Sequence, residues 1–316
     1  MKGRKNMAKK IGLVGIYFPG AYDALHENVP EGFELVDALS PEAYGNLADC
    51  EYLISRLDID PDIINHTPNV KFWQRWGAGF DHVDLKAWGE RGIPIATCPG
   101  VNSGIVAELA IMLMLAGYRN LLQINRQLLE GHFPRTEYFG RSFMIKGKTV
   151  GVLGLGHIGK KVAALVTAFG ANVIYYDILR QPDQEEKYGY RFVDFDTLLE
   201  QSDIFTVHCP LNEETRGMIS FEQFKKMKPS AMLINTARGP IVDEAAMIDA
   251  LTTGKIATAG LDTYEHEPLP KDHPLLKLDN VVASAHAGGN TKDNDINMVN
   301  YVYHNIVAFD RGEPLN

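Results

Sequence analysis

Four polar residues, His208, Arg238, Asp262 and His286, each close or directly follow a short apolar run of strand-like composition. In an open parallel sheet, ligands gather beyond the carboxyl ends of the strands, so polar side chains in such places are candidates for chemistry. His286, in Ser284-Ala-His286-Ala-Gly-Gly, offers an imidazole able to take and return a proton near neutral pH. The glycines behind it suit a loop held close to a ligand. Arg238, in Asn235-Thr-Ala-Arg238-Gly, offers a planar fork that matches a carboxylate and can polarise a carbonyl oxygen. Glu265 and Glu267 lie in Tyr264-Glu-His-Glu267-Pro268. Either could pair with a histidine, and a carboxylate beside an imidazolium raises its pKa by ~1–2 units. Such a pair would keep His286 protonated as an acid. The residues alone leave the choice of glutamate open.

The stretch Thr149-Val-Gly-Val-Leu-Gly154-Leu-Gly156-His157-Ile158-Gly159 places a glycine pattern between an apolar strand and a helical segment. This context fits a dinucleotide-binding turn. Gly154 permits the tight turn, Gly156 lets the backbone approach a pyrophosphate, and Gly159 lets the helix pack against the strand. The helix start supplies free N–H groups and partial positive charge. Asp177 ends the next strand, 18 residues beyond Gly159. Its carboxylate can accept hydrogen bonds from ribose hydroxyls and would repel a 2′-phosphate, which favours NAD over NADP. Arg180, just downstream, pulls the other way.

These residues need a scaffold, and the pattern around them supplies one. Strand-like runs at 11–17, 33–39, 52–56, 70–76 and 93–97 alternate with helical segments in the first third. A second series, at 149–153, 172–176, 203–208, 231–235, 258–261 and 280–284, follows from Lys148. Alternation of this kind implies parallel sheets covered on both faces. Between the two series, residues 105–118 are apolar nearly all round and read as a deeply buried helix or as one with an exposed face covered by a partner subunit, continued by an amphipathic stretch over 119–130. Residues 133–143 are irregular and aromatic. The tail, 291–309, is helical, with Ile296, Val299, Val302, Ile306 and Phe309 on one face, Thr291 as a cap, and Asp293 and Asp295 at the positive end of the dipole.

Composition narrows the class. The 316 residues are 45% hydrophobic and 22% charged, typical of a folded protein, with two domains as the prior for this length. A net charge of −9 argues against a nucleic-acid footprint and against docking on anionic lipid. No apolar stretch approaches the ~20 residues needed to span a bilayer. The apolar run after Lys9 and Lys10 is short and broken by Pro19-Gly20, so it reads as a buried first strand rather than a signal peptide, preceded by a disordered basic extension. Cys50, Cys98 and Cys209 are widely spaced and form no CxxC, so neither a metal site nor a disulfide framework is expected, and a reducing, cytoplasmic setting fits.

Together these motifs resemble the D-isomer-specific 2-hydroxyacid dehydrogenase family. The resemblance spans nearly the whole chain: Gly77-Ala78-Gly79-Phe-Asp81-His-Val-Asp84, Asn102 with Val106-Ala-Glu108, the glycine turn, His208-Cys-Pro210-Leu211 with Thr215, Asn235-Thr236-Ala237-Arg238-Gly-Pro-Ile-Val-Asp-Glu244, Gly260-Leu-Asp262 with Glu267-Pro268, and His286-Ala-Gly288-Gly. It implies two doubly wound α/β domains: a Rossmann NAD-binding domain at 103–287, inserted into a flavodoxin-like substrate domain made of 7–102 and 288–316. It implies hydride transfer between NAD and C2 of a small 2-hydroxy acid, with Arg238, Glu267 and His286 as the catalytic set. The Glu-Pro pair selects Glu267. The same resemblance puts Gly154, Gly156, His157, Ile158, Gly159, Asp177, His208, Pro210, Thr215, Thr236, Ala237, Asp262 and Gly288 along the cofactor. It puts Ala78, Gly79 and Arg238 at the substrate carboxylate. The helix from Ser103 resembles the family's dimer-forming segment, so a homodimer is expected. The bulky Phe72-Trp-Gln-Arg75-Trp76 departs from common members. The chain ends soon after its last helix, so the regulatory domains of some phosphoglycerate dehydrogenases are not expected. The family also includes a non-catalytic NAD-sensing corepressor and the phosphite and formate dehydrogenases. The retained Arg–Glu–His set weighs against a pure sensor.

Overall fold

The computed structural model describes residues 8–57, 59–80 and 83–316. The basic extension expected at the start, and Asp81 of the glycine-rich motif, lie outside the described residues. The chain divides into two units, one running to Asn102 and resuming at Asn290–Asn316, the other Ser103–Gly289.

In the first unit, β1 (Lys9–Gly15), β2 (Phe33–Ala38), β3 (Tyr52–Arg56), β4 (Phe72–Arg75) and β5 (Ile95–Ala96) form one sheet in the order β2-β1-β3-β4-β5. Every pairing is parallel. This is the flavodoxin-like order. The apolar run that could be mistaken for a leader is β1, paired on both sides inside the sheet. Helices α1 (Pro19–Glu27) and α2 (Leu85–Glu90) belong to this unit. Successive strand residues face opposite layers. Tyr52, Ile54 and Phe72 join one core, while Leu53 and Trp73 join the other with Leu47 and Trp88.

The second unit starts with α3 (Ser103–Tyr118) and α4 (Leu121–Leu129). The expected continuous run through 119–130 is instead a separate helix, bent 63° from α3. Asn120 takes a left-handed conformation (φ 51°) at the break. Helix α3 packs into this unit's core through Ala107, Ala110, Leu113 and Met114, all fully buried, but leaves Met112 51% exposed. Gly117 and Gly260 permit that contact, since a Cβ on them would meet Met232 at 2.7 Å and Leu113 at 2.9 Å respectively. No single helix among the described residues is long and apolar enough to cross a membrane.

The second sheet comprises β6 (Thr149–Leu153), β7 (Asn172–Tyr176), β8 (Arg191–Phe192), β9 (Ile204–Val207), β10 (Met232–Asn235), β11 (Thr258–Leu261) and β12 (Val281–Ala283). Its order is β12-β11-β10-β9-β6-β7-β8, all parallel. The two-residue β8 was not among the expected strands. The order reverses at β6, so the turn after β6 lies at the topological switch point of a Rossmann sheet. Between the strands run α5 (His157–Ala168), α6 (Pro182–Tyr188), α7 (Phe195–Gln201), α8 (Phe221–Lys226) and α9 (Glu244–Thr252).

The tail helix α10 (Lys292–Arg311) returns to the first unit. Val299, Val302 and Ile306 are fully buried there, each worth ~1.5–3 kcal/mol relative to exposure. Two expectations fail. Thr291 occupies the N-cap but its side chain makes no capping bond, and Ile296 is exposed. Asp293 and Asp295, in the first turn, carry the favourable dipole interaction.

Candidate active site

The carboxyl ends of the second sheet gather the residues singled out from the sequence. After β6, Gly154 has φ +90°, and a Cβ there would lie 2.7 Å from the Cys209 nitrogen. Gly156 is the N-cap of α5, and its Cβ position meets no protein atom within 4 Å. Packing therefore does not explain the missing side chain, and the bare backbone leaves room for a ligand. A Cβ on Gly159 would lie 2.1 Å from the Gly154 carbonyl oxygen, so helix and turn touch there. Gly159→Ala should push α5 off the turn. Overpacking of ~1–3 kcal/mol would lower Tm by about 2–12 °C and weaken NADH binding, measurable by calorimetry and fluorescence titration.

The loop after β7 laces itself to this turn. Asp177 Oδ2 accepts the Leu155 N–H at 2.7 Å, and Gln181 Nε2 donates to the Leu155 carbonyl at 2.8 Å. Both backbone groups of the residue between the first two glycines are thus held. Arg180 donates through Nε and Nη2 to the two Glu185 carboxylate oxygens at 2.9 and 2.8 Å, and Tyr175 OH donates to the same carboxylate. The cation that would favour a 2′-phosphate is engaged in a bidentate fork.

At the ends of β9, β10 and β11, three polar atoms are buried without a hydrogen-bond partner: His208 Nδ1, Thr236 Oγ1 and Thr263 Oγ1. Orphaned groups of this kind are rare and point to a missing partner. His208 Nε2 pairs with Thr206 Oγ1 at 2.8 Å, and burial pushes the imidazole pKa down to about 3, so the ring is neutral. These three atoms and the open face of Gly156 fit a dinucleotide lying across the strand ends. Thr263 was not a sequence candidate, although it follows directly on Asp262 at a strand end. The hydroxyl of Thr215 folds its own turn, donating to the Pro210 carbonyl at 2.7 Å.

Beyond β11 and β12 lies a carboxylate–imidazole pair. Glu267 Oε2 meets His286 Nδ1 at 2.6 Å, and Glu267 Oε1 accepts the Tyr264 N–H at 3.0 Å. Nε2 is then the ring nitrogen left to face a reactant. The Glu267 bond raises the His286 pKa above its usual 6.5, against burial and the Arg238 charge. Burial opposes ionisation of Glu267, but its bonds from His286 and the Tyr264 N–H hold it below the ordinary carboxylate value.

His286 sits at φ +50°, a strained conformation for a side chain of this kind. Asp262, 1% exposed, holds it there. Its carbonyl accepts the His286 N–H at 2.8 Å, and its carboxylate accepts Ala287 N–H at 2.8 Å, Gly288 N–H at 2.9 Å and the Ser284 hydroxyl. Asp262 thus acts on the site by shaping the histidine loop. Gly288 is crowded by Asp262 and Leu109, so packing explains its missing side chain.

Arg238 follows β10 in a turn bracketed by buried Asn235, which accepts the Ala237 N–H and donates to the Arg238 carbonyl. Its charge is felt at both Glu267 and His286. Arg238, Glu267 and His286 therefore share one end of one sheet. Against Glu267 and His286 a cavity of about 600 Å³ is lined also by Tyr264, Leu269 and Leu276, and Arg238 is not part of its lining. Ala78 and Gly79 lie in the other unit, after β4, with Ala78 exposed.

Residues 111–288 match the model for the NAD-binding domain of the D-isomer-specific 2-hydroxyacid dehydrogenases. The chain belongs to this family. The match covers more than half of the chain, and whole-chain relatives agree with it. Glyoxylate reductase of Korarchaeum cryptofilum is 38% identical over 84% of this chain and 81% of its own length. D-3-phosphoglycerate dehydrogenase of Archaeoglobus fulgidus is 42% identical over 83% of this chain, which spans only about half (49%) of that relative. The NAD-complexed D-isomer-specific 2-hydroxyacid dehydrogenase of Lactobacillus delbrueckii ssp. bulgaricus superposes with a TM-score of 0.80 at 28% identity, covering 97% of this chain and 98% of the other. This 2-hydroxyacid dehydrogenase is thus an NAD-dependent oxidoreductase of two parallel-sheet α/β units.

Proposed function

We propose that the enzyme interconverts a small 2-keto acid and its D-2-hydroxy acid, with glyoxylate, hydroxypyruvate or a 3-phosphoglycerate-like acid as the substrate class. The observation that carries this reading is the 2.6 Å contact between His286 Nδ1 and Glu267, with Arg238 beside it and the glycine turn on the same sheet edge. Bound NAD supplies the hydride acceptor or donor. The turn of Gly154, Gly156, His157, Ile158 and Gly159 would hold the pyrophosphate and Asp177 the ribose hydroxyls. His208, Pro210, Thr215, Thr236, Ala237, Asp262 and Gly288 would flank the rest. The 103–289 unit is then the cofactor domain, and 8–102 with 290–316 the substrate domain.

In reduction, His286 Nε2 gives a proton to the C2 oxygen; in oxidation it takes that proton back. Glu267 orients the ring and stabilises its charged form. Arg238 grips the carboxylate and the C2 oxygen, helped by the backbone N–H groups around Ala78 and Gly79. The bidentate Arg180–Glu185 fork supports a preference for NADH. A substrate panel run with NADH and NADPH side by side tests the reading. Loss of NADH absorbance with glyoxylate, hydroxypyruvate or pyruvate is expected, and NADH binding without turnover on any keto acid would overturn it.

A pH profile follows from the same pair. Reduction needs the imidazolium, whose pKa is raised. The rate should hold below that pKa and fall as pH rises through it, while oxidation gains. In Glu267→Gln the falling limb should move to lower pH, read from kcat/KM profiles.

We also infer a homodimer. Helix α4 buries none of its residues. Leu129, Phe133, Phe139 and Met144 are 81, 75, 74 and 67% exposed, apolar side chains that a partner subunit would cover. Sedimentation would measure this. Three free cysteines, two of them buried, support a reducing, cytoplasmic setting.

A further inference from the structure

Besides the acid–base pair, the described residues hold a more deeply set, part-buried carboxylate–imidazole contact. Glu244, the first residue of α9, places Oε1 3.0 Å from His273 Nε2. The two side chains are only 13 and 15% exposed. Glu244 Oε2 also accepts the Glu265 N–H at 3.3 Å. His273 Nδ1 accepts the Leu275 N–H at 3.4 Å, capping the short 3-10 turn Pro274–Lys277. An acceptor at Nδ1 puts the neutral ring's hydrogen on Nε2, where it donates to Glu244. One carboxylate therefore ties both ends of the 265–273 loop, and Glu267 lies between them.

The other side of the contact leads back to Arg238. Its neighbour Gly239 touches the same loop: a Cβ there would lie 1.9 Å from the Tyr264 carbonyl carbon and oxygen. From Gly239 the chain runs straight into α9, whose start is fixed by Asp243. That residue caps the Ala246 N–H and accepts the Ser220 hydroxyl. The segment that sets Arg238 thus continues into the residue that holds the loop of Glu267.

We propose that Glu244 and His273 form a latch that registers the Glu267 loop against the Arg238 turn, making both positioning residues for proton transfer. This rests on the reading of Glu267 and His286 as the acid–base pair. Among the described residues, the charges facing His286 are Glu267, Arg238 and Asp262, and those facing Glu267 are His286 and Arg238. Glu244 bonds the His273 ring and the Glu265 N–H, so it acts on the acid–base pair through the loop. A displaced loop lengthens the Glu267–His286 contact, weakens the support for the imidazolium and misaligns Nε2. Misplacement of about 1 Å far from the chemistry can cost ~10²-fold.

The test compares Glu244→Ala, Glu244→Gln and His273→Asn with Glu267→Ala in the full chain. It reads the His286 titration by NMR in the free enzyme, kcat for keto-acid reduction, Tm and NADH affinity. The latch predicts that Glu244→Ala moves the His286 titration down towards its ordinary value and lowers kcat by about 10–100-fold, with NADH affinity retained. Glu244→Gln, which keeps one acceptor, should fall between. His273→Asn, which keeps a cap and a donor, should retain most activity. If Glu267→Ala moves the titration and Glu244→Ala does not, the latch is wrong and the acid–base reading stands. If Glu267→Ala moves nothing, the acid–base reading itself fails. Should the Glu244 variants not fold, His273→Ala decides by the same titration.

Discussion

His286→Ala should lose about 10²–10⁴-fold in keto-acid reduction, the usual share of a positioned acid–base group, while NADH still binds. The separation of the two effects is what the geometry requires. The residues that fit the dinucleotide lie at the ends of β6, β7, β9 and β10 and at Thr263, and none of them is His286. The imidazole instead answers to Glu267 and Asp262. Alanine at φ +50° adds no contact of its own, and the Asp262 bonds to residues 287 and 288 survive it. A single-turnover measurement with a fluorescence titration of NADH separates the two quantities. Undiminished turnover would remove His286 from the mechanism.

Arg238→Ala should lower kcat/KM for the keto acid by about 10²–10⁴-fold. Two charge-assisted hydrogen bonds at ~1.5–3 kcal/mol each are lost, with tenfold for every ~1.4 kcal/mol. Lysine should restore little of this, because an ammonium cannot span two oxygens. The variant also reports on its neighbours. Arg238 depresses the pKa of both His286 and Glu267, so its removal should carry the alkaline limb of reduction to higher pH. Retained kcat/KM in Arg238→Ala would end its assignment to the substrate.

Apart from the two-residue β8, strand positions in both sheets were legible because parallel strands are apolar runs cut by glycine, proline and acid, and the pattern needs no long-range knowledge. The glycine turn was legible for the same reason: strand, turn and helix are contiguous. The break at Asn120 was not, because nothing in Arg119-Asn120-Leu121 punctuates a helix as glycine or proline would. Asp262 shows a subtler limit. An acid at a strand end was visible, but its carboxylate is spent on the Ser284 hydroxyl and the N–H groups of residues 287 and 288, a use fixed only when β11 and β12 pair. Gln181 and Glu244 were invisible for the same cause. Each serves a backbone group 26 or 21 residues away, and backbone groups carry no residue identity. The choice between Glu265 and Glu267, open from composition, is decided in the structure by which carboxylate reaches the imidazole.

Arg238, Glu267 and His286 all belong to the Ser103–Gly289 unit, whereas Ala78 and Gly79 belong to the other. On the proposed reading, the acid–base pair and Arg238 come as one cassette with the nucleotide fold, and only the backbone share of the carboxylate grip is encoded before Asn102. On that reading, drift in the segment before Asn102 would retune which acid is accepted and leave the acid–base pair intact. Chimeras that exchange that segment between relatives should trade substrate preference and keep their dependence on His286.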